Sequence, residues 1–314
     1  MIEVRGLTKY YGRVKAIEDV SFRVEKGEIL GFLGPNAAGK TNTMRIITSF
    51  IPATQGEVKV AGYDVSREAL EVRRRIGYLP ENVPLYDDMR VREYLLYRAK
   101  LKEIPRTERK KRLSEITEKC WIGDVENRLI GQLSKGYRQR VGLAGAMVHN
   151  PPIVILDEPT IGLDPNQIRQ VRRLIKELGG EHTILLSTHI LPEVEMLCGR
   201  VIIIDKGRVV AMDTPQGLSH RLKGGSRISI EIRGEGPKIK GELERIKGVI
   251  SVKLGMDGSI SNYIVELEKD KDLREEISIT ITKNGGIIRE MKPEMMTLED
   301  IFVHITTKEK EGDE

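Results

Sequence analysis

The stretch Glu28-Ile-Leu-Gly-Phe-Leu-Gly34-Pro35-Asn36-Ala37-Ala38-Gly39-Lys40-Thr41 decides how this chain reads. The apolar run before Gly34 is strand-sized, and a helical pattern follows from about Lys40 to Phe50. Between them stands G-x-x-x-x-G-K-T. Its glycines let the backbone curl so that successive N–H groups converge on phosphate oxygens. The helix behind it adds its positive end. Lys40 offers a point charge for β- and γ-phosphates, and the Thr41 hydroxyl can ligate Mg2+. An ordinary strand-to-helix turn needs only part of this pattern, and all of it is present.

Outward from the loop, Ile2, Val4 and Leu7, then Ala16–Val24, read as β segments. Glu57–Val60 is another strand, and about Ser66 to Asn150 reads as mostly helical. Strand and helix then alternate through Ile153–Leu156, Asn166–Leu178, Thr183–Ser187, Leu191–Leu197 and Val201–Ile204. The expected fold is α/β: a mainly parallel sheet behind a phosphate loop, with an antiparallel β segment and a helical insertion at about residues 82–150. Ile153–Leu156 is apolar throughout, as in a strand buried on both faces. It delivers Asp157 and Glu158 at its carboxyl end, where ligands collect in such sheets. Asp157 suits a Mg2+ ligand acting through water, and Glu158 suits a group that polarises an attacking water. Acidic strand ends are common; the pairing with a phosphate loop makes this one informative.

A third segment is Leu133-Ser134-Lys135-Gly136-Tyr137. A hydroxyl and a bare backbone can both approach a phosphate at a helix start. Together with the first two motifs, it resembles the LSGGQ signature of the ATP-binding cassette (ABC) family, departing from it at Lys135 and Tyr137. The LSKGY form resembles the branch serving two-component exporters (ABC-2 type). The resemblance spans about residues 2–221 with its landmarks in order. It implies that Tyr11 stacks on adenine, with Tyr10 competing for the role and a core tyrosine as the lesser alternative. Glu81, in Ile76-Gly-Tyr-Leu-Pro-Glu81, stands where the family usually carries Gln and keeps an oxygen for Mg2+ or water. Asp164 falls on a loop that crosses a dimer interface, and His189 on the residue that contacts the γ-phosphate and the attacking water. Ala37 replaces a frequent Gly and adds strain if that position needs positive φ. Asn42 replaces a usual Ser or Thr near the α-phosphate, where an amide can still donate.

The resemblance further implies an ATPase using ATP and Mg2+ in a head-to-tail dimer. One subunit supplies Lys40, Thr41, Asp157, Glu158 and His189; the other supplies Ser134 and Gly136. One cassette per chain then implies a second copy or a similar chain. A separately encoded polytopic permease is the implied membrane partner, docking near Glu81, with Pro84, Leu85, Tyr86 and Met89 as groove candidates or as internal packing of the insertion. The implied location is cytoplasmic, peripheral on the inner face of the cell membrane. Two alternatives stay open: a soluble cassette ATPase acting on ribosomes or DNA, and a nucleotide-binding regulator.

Composition agrees. The 314 residues are about two domains' worth. A hydrophobic share of 39% supports a packed core. No apolar run approaches the roughly 18 residues of a membrane span. Two cysteines, Cys120 and Cys198, make neither a disulfide framework nor a zinc spacing. The 52 basic and 47 acidic residues leave a net charge of only +5, with signs interleaved, and aromatic residues are 4%. Arg73–Arg75 and Arg109–Arg112 read as solvated helix faces, and no nucleic-acid partner is expected. Lys223-Gly-Gly-Ser226 resembles a linker, dividing a cassette (1–222) from a small C-terminal α+β domain (223–314). There Arg227–Ile232, Ile250–Leu254, Tyr263–Leu267 and Gly286–Met291 read as strands and Lys240–Lys247 as a helix; Asp272–Lys283 fits either state. Thr297-Leu-Glu-Asp-Ile-Phe302 resembles an ending seen in the exporter branch, and the tail Lys308–Glu314 is expected to fray. This domain is expected to regulate or to support a dimer.

Overall fold

In a computed structural model of the chain, the described residues are 1–221, 227–233, 236–257, 260–268 and 271–294. The linker Lys223–Ser226, the motif Thr297–Phe302 and the charged tail lie outside them. The chain divides into two units, Met1–Pro215 and Gln216–Glu314.

The first unit runs β1 (Ile2–Tyr11), β2 (Val14–Val24), β3 (Ile29–Leu33), α1 (Lys40–Ile47), β4 (Gln55–Val60), β5 (Tyr63–Asp64), α2 (Ala69–Arg75), β6 (Ile76–Leu79), α3 (Val91–Leu101), α4 (Arg106–Lys119), α5 (Lys135–Met147), β7 (Ile153–Asp157), α6 (Pro165–Leu178), β8 (Thr183–Thr188), α7 (Leu191–Leu197), β9 (Arg200–Asp205) and β10 (Arg208–Asp213); α8 (Pro215–Arg221) follows. Six strands form one sheet in the order β10-β9-β3-β8-β7-β6, parallel except at the β10 edge. A second, antiparallel sheet has the order β2-β1-β4-β5. The main core fills the space between this sheet, α1 and the parallel sheet: Leu7, Val20 and Val58 meet Met44, Ile47, Phe32, Ile155 and Leu185. The strand order brings the carboxyl ends of β3, β8, β7 and β6 side by side, where a doubly covered sheet places its ligands.

The stretch from Ser66 to Asn150 is less uniformly helical than its pattern. Ile76–Leu79 is a strand, paired in parallel with β7. Four residues are too few for periodicity to show, but Gly77 carries the signal. A Cβ there would lie 2.5 Å from the Ala146 carbonyl oxygen and 2.9 Å from Pro151 Cγ. Glycine in a strand marks such a close backbone approach. The helix expected to reach Phe50 stops at Ile47, where Thr48 Oγ1 bonds back to Met44 O at 2.9 Å and Ser49 takes a positive φ of 58°. The basic runs lie on helix faces: Arg74 and Arg75 pair with Glu71 at 2.7 and 2.6 Å, and Arg112 with Glu115 at 3.0 Å.

The second unit contains β11 (Arg227–Arg233), α9 (Gly236–Glu244), β12 (Val249–Asp257), β13 (Ile260–Leu267), α10 (Arg274–Lys283) and β14 (Ile287–Glu294). Its antiparallel sheet has the order β12-β13-β11-β14, with both helices closing one face. This is two interleaved β-α-β units. The ambiguous Asp272–Lys283 stretch contains the helix α10. Ile277 and Ile281, one turn apart, are buried against Ile239, Leu243 and Tyr263, whereas Ile279 is 53% exposed. Packing at i, i+4 overrides the apparent alternation.

The Gly77 contact predicts that Gly77→Ala separates β6 from α5. Overpacking against backbone should lower the unfolding free energy by about 1–3 kcal/mol, measured by urea denaturation.

Candidate active site

Gly39 ends the phosphate loop as the N-cap of α1 with φ 104°, and its Cβ would meet Ala16 O at 2.9 Å, so only glycine fits. Ala37 lies at φ 66°. The condition for strain at this Ala is therefore met. Pro35 O receives the Ala38 N–H at 3.3 Å, and Ala38 O receives that of Gly207 at 3.1 Å. Lys40 is 5% exposed. Its Nζ donates to Gly34 O at 2.7 Å and Pro35 O at 3.0 Å, and forms an ion pair with Glu158 Oε1 at 3.2 Å.

The two carboxylates at the end of β7 are both buried. Asp157 Oδ1 accepts from Ser187 Oγ at 2.5 Å and from Thr41 Oγ1 at 3.4 Å. Its Oδ2 is buried without a partner. Burial pushes this carboxyl above its ordinary range; the Ser187 and Thr41 hydroxyls oppose the shift, and Glu158 and Glu81 add to it. Glu158 takes a left-handed φ of 49°, with its N–H donating to Ser187 O at 3.2 Å and Ser187 Oγ at 3.1 Å. His189 Nδ1 donates to Glu158 Oε2 at 2.8 Å.

Asn36, Ala37, Gly39, Lys40, Thr41, Asn42, Glu81 and Glu158 line one cavity of about 250 Å³, with Ile161. The fold thus gathers the phosphate loop, Glu81 and the acid from three strand ends, those of β3, β6 and β7. Tyr11 is 49% exposed, which removes the core reading. Its hydroxyl donates to Asn42 Oδ1 at 3.2 Å, leaving the Asn42 amide protons free of that contact. Lys9 Nζ lies over the Tyr11 ring at 5.1 Å, and Tyr10 instead faces Lys15.

Ser134, Gly136 and Asp164 lie elsewhere. Ser134 and Asp164 line a separate cavity of about 490 Å³ that shares no residue with the first. Ser134 caps α5, accepting from Tyr137 N at 3.5 Å. Asp164 caps α6, accepting from Asn166 N and Gln167 N at 2.9 and 3.0 Å. A Cβ on Gly136 would lie 2.5 Å from Gln167 Cδ. Tyr137, at the departing signature position, donates its hydroxyl to Asp124 and lies under the Arg140 guanidinium. Ser187 carries no signal of its own in the sequence: it is the last residue of the strand expected over Thr183–Ser187, two before His189.

Two groups whose oxygens can ligate a metal adjoin beside the phosphate loop: the Thr41 hydroxyl lies 3.4 Å from Asp157 Oδ1, and Asp157 Oδ2 is unpartnered. That set suits Mg2+, which takes few protein ligands and completes its shell with phosphate and water.

The Ala37 backbone predicts a gain from Ala37→Gly. Relief of the left-handed strain, about 1 kcal/mol, exceeds the roughly 0.5 kcal/mol that glycine's freer unfolded chain takes away. Urea denaturation should show a rise of about 0.5 kcal/mol, with nucleotide binding retained.

Comparison with known proteins fits this geometry. A family model described as ABC transporter matches residues 17–161. The linearmycin resistance ATP-binding protein LnrL of Bacillus subtilis is 32% identical over 235 residues, 74% of this chain and 76% of its own. The daunorubicin resistance ATP-binding protein DrrA3 of Streptomyces coeruleorubidus is 32% identical over 309 residues, 97% of this chain and 95% of its own. Among solved structures, a dimeric post-hydrolysis state of an ATP-binding cassette bound to ADP and Pi superposes with a TM-score of 0.63 at 26% identity, covering 68% of this chain and 98% of that one. Matched across its phosphate loop by the family model and almost end to end by a relative, the chain belongs to the ABC transporter family and is an ATP-hydrolysing cassette.

Proposed function

We propose that this cassette works as a head-to-tail homodimer that drives a separately encoded membrane permease as an exporter. The observation that carries the reading is the split site. The phosphate-loop cavity and the Ser134–Asp164 cavity share no lining residue, so the chain offers two half-sites that a second copy can complete. ATP bound by one phosphate loop would meet Ser134 and Gly136 of the other copy. Closure depends on the γ-phosphate and is lost on hydrolysis, which is the mechanical output.

Within one half-site, the loop N–H groups and Lys40 hold the β- and γ-phosphates, and Lys40 exchanges part of its Glu158 contact for phosphate. The Asn42 amide, oriented by Tyr11, donates to the α-phosphate, and the exposed Tyr11 ring stacks on adenine. Glu158 takes the proton of the attacking water while His189 orients it. Thr41, Asp157 and Glu81 would hold Mg2+, which neutralises charge on the phosphates. Catalysis is positioning plus electrostatics, as in other phosphoryl transfers.

Support for a permease comes from the relatives, named as resistance proteins, and from a groove. A cavity of about 750 Å³ lies between β6, the loop after it and α3, lined by Phe50, Tyr78, Pro84 and four cations, Arg45, Arg73, Arg98 and Lys102. Burial beside Arg98 and Arg73 pulls the Lys102 ammonium down to about 8. Of the four groove candidates only Pro84 lines it; Tyr86 packs on Tyr94 and Tyr97. Among the described residues no helix is long and apolar enough to cross a membrane. The C-terminal unit serves regulation or dimer support, having no phosphate-loop motif of its own.

Glu158→Gln keeps shape and hydrogen bonding but cannot take a proton. Turnover should fall by at least about 10²-fold while ATP binding persists, and the variant should run as a dimer with Mg-ATP on size exclusion. Normal turnover would remove Glu158 from the chemistry.

Lys40→Ala and Ser134→Ala should fail at different steps. The first loses nucleotide binding, because the buried phosphate charge has no partner. The second binds nucleotide as a monomer but does not dimerise, apart from a cap loss of about 1 kcal/mol seen as a lower melting temperature. Failure of both at the same step would contradict the two-subunit site.

A further inference from the structure

One buried carboxylate has no part in the chemistry above. Glu193, in α7, is fully buried, and side chains from three other segments converge on it. Thr160 Oγ1 donates to its Oε1 at 2.5 Å, and Thr188 Oγ1 to its Oε2 at 2.7 Å. The Arg172 guanidinium of α6 approaches Oε1 at 3.3 Å. Both hydroxyls are themselves buried.

The two threonines are not arbitrary neighbours. Thr160 stands two residues after Glu158, and Thr188 immediately before His189. One carboxylate therefore ties together the two turns that carry the Glu158–His189 pair. Thr188 Oγ1 also accepts the Ile190 N–H at 3.0 Å, which fixes the chain on the other side of His189. Glu158 needs such support. Its left-handed φ of 49° is unusual outside glycine, and such backbone persists only where the surroundings over-determine it. Ser187 holds the Glu158 N–H, and the Thr160–Glu193 bond holds the turn that follows. A carboxylate taken out of water is costly unless fully partnered, and a short helix packed on a sheet could fill this position with an apolar residue.

We infer that Glu193 is a positioning residue for hydrolysis: through Thr160 and Thr188 it holds Glu158 and His189 in register. The inference rests on the roles given to those two residues above.

Steady-state ATPase kinetics on the full chain test it, with Thr160→Val, Thr160→Ser, Glu193→Gln and Glu158→Gln side by side and melting temperatures for each. Thr160→Val keeps the side-chain shape and deletes one hydroxyl; Thr160→Ser restores it. Misplacement of a reacting group by an ångström is costly, so Thr160→Val and Glu193→Gln should lower kcat about tenfold or more, with KM for ATP within about twofold and Thr160→Ser close to the parent. The inference is overturned if Thr160→Val, folded, has the parent kcat, or if its loss disappears when rates are expressed per folded molecule. Should Glu193→Gln fail to fold, the two Thr160 variants decide. Parent-like turnover in Glu158→Gln would overturn the underlying assignment instead, so the two failures are told apart.

Discussion

Two carboxylates stand side by side in the interior at the end of β7, and the need to satisfy them organises the first unit. Asp157 and Glu158 meet Lys40 from the loop after β3, Ser187 from the end of β8, and His189 just beyond it. The partners arrive on two other strands, so the pairing is possible only because β3, β8 and β7 are neighbours and run parallel. Loss of one partner would leave a buried charge or oxygen stranded, which costs more than the pair contributes when intact.

The strain in the site follows from the same crowding. Ala37 and Glu158 both take left-handed backbone, and both line the cavity beside Lys40. Non-glycine residues hold such conformations where packing and hydrogen bonds leave no alternative. At Glu158 those bonds are visible: Ser187 receives the N–H twice over, and His189 Nδ1 donates to one carboxylate oxygen. The antiparallel sheet contributes from the other side, placing Tyr11 at the end of β1 where its hydroxyl reaches Asn42.

The helical part obeys a different constraint. Its glycines are spaces for neighbouring side chains rather than turns. A Cβ on Gly142 would lie 2.3 Å from Val83 Cγ1, and one on Gly145 would lie 2.8 Å from Tyr94 Cε1. They let α5 approach the loop after β6 and the face of α3.

The sequence by itself determined the phosphate loop, the buried strand ending in Asp157 and Glu158, and the alternation that makes the sheet parallel. These are local: eight residues of one motif, five of one strand, and a period of hydrophobicity each carry their own physical signature. Only the tertiary structure decided the rest. Nothing in the spacing of residues 76–79 marks a strand, because its evidence is Ala146 pressing on Gly77 from far along the chain. The alternating Ile277, Ile279 and Ile281 left α10 undecided until the packing of Ile239 and Leu243 selected a helix. Ser187, Thr160 and Glu193 are ordinary residues in the sequence and acquire their roles through partners about thirty positions away. Such contacts arise when strands are laid side by side, and a one-dimensional pattern carries no record of which strand ends meet.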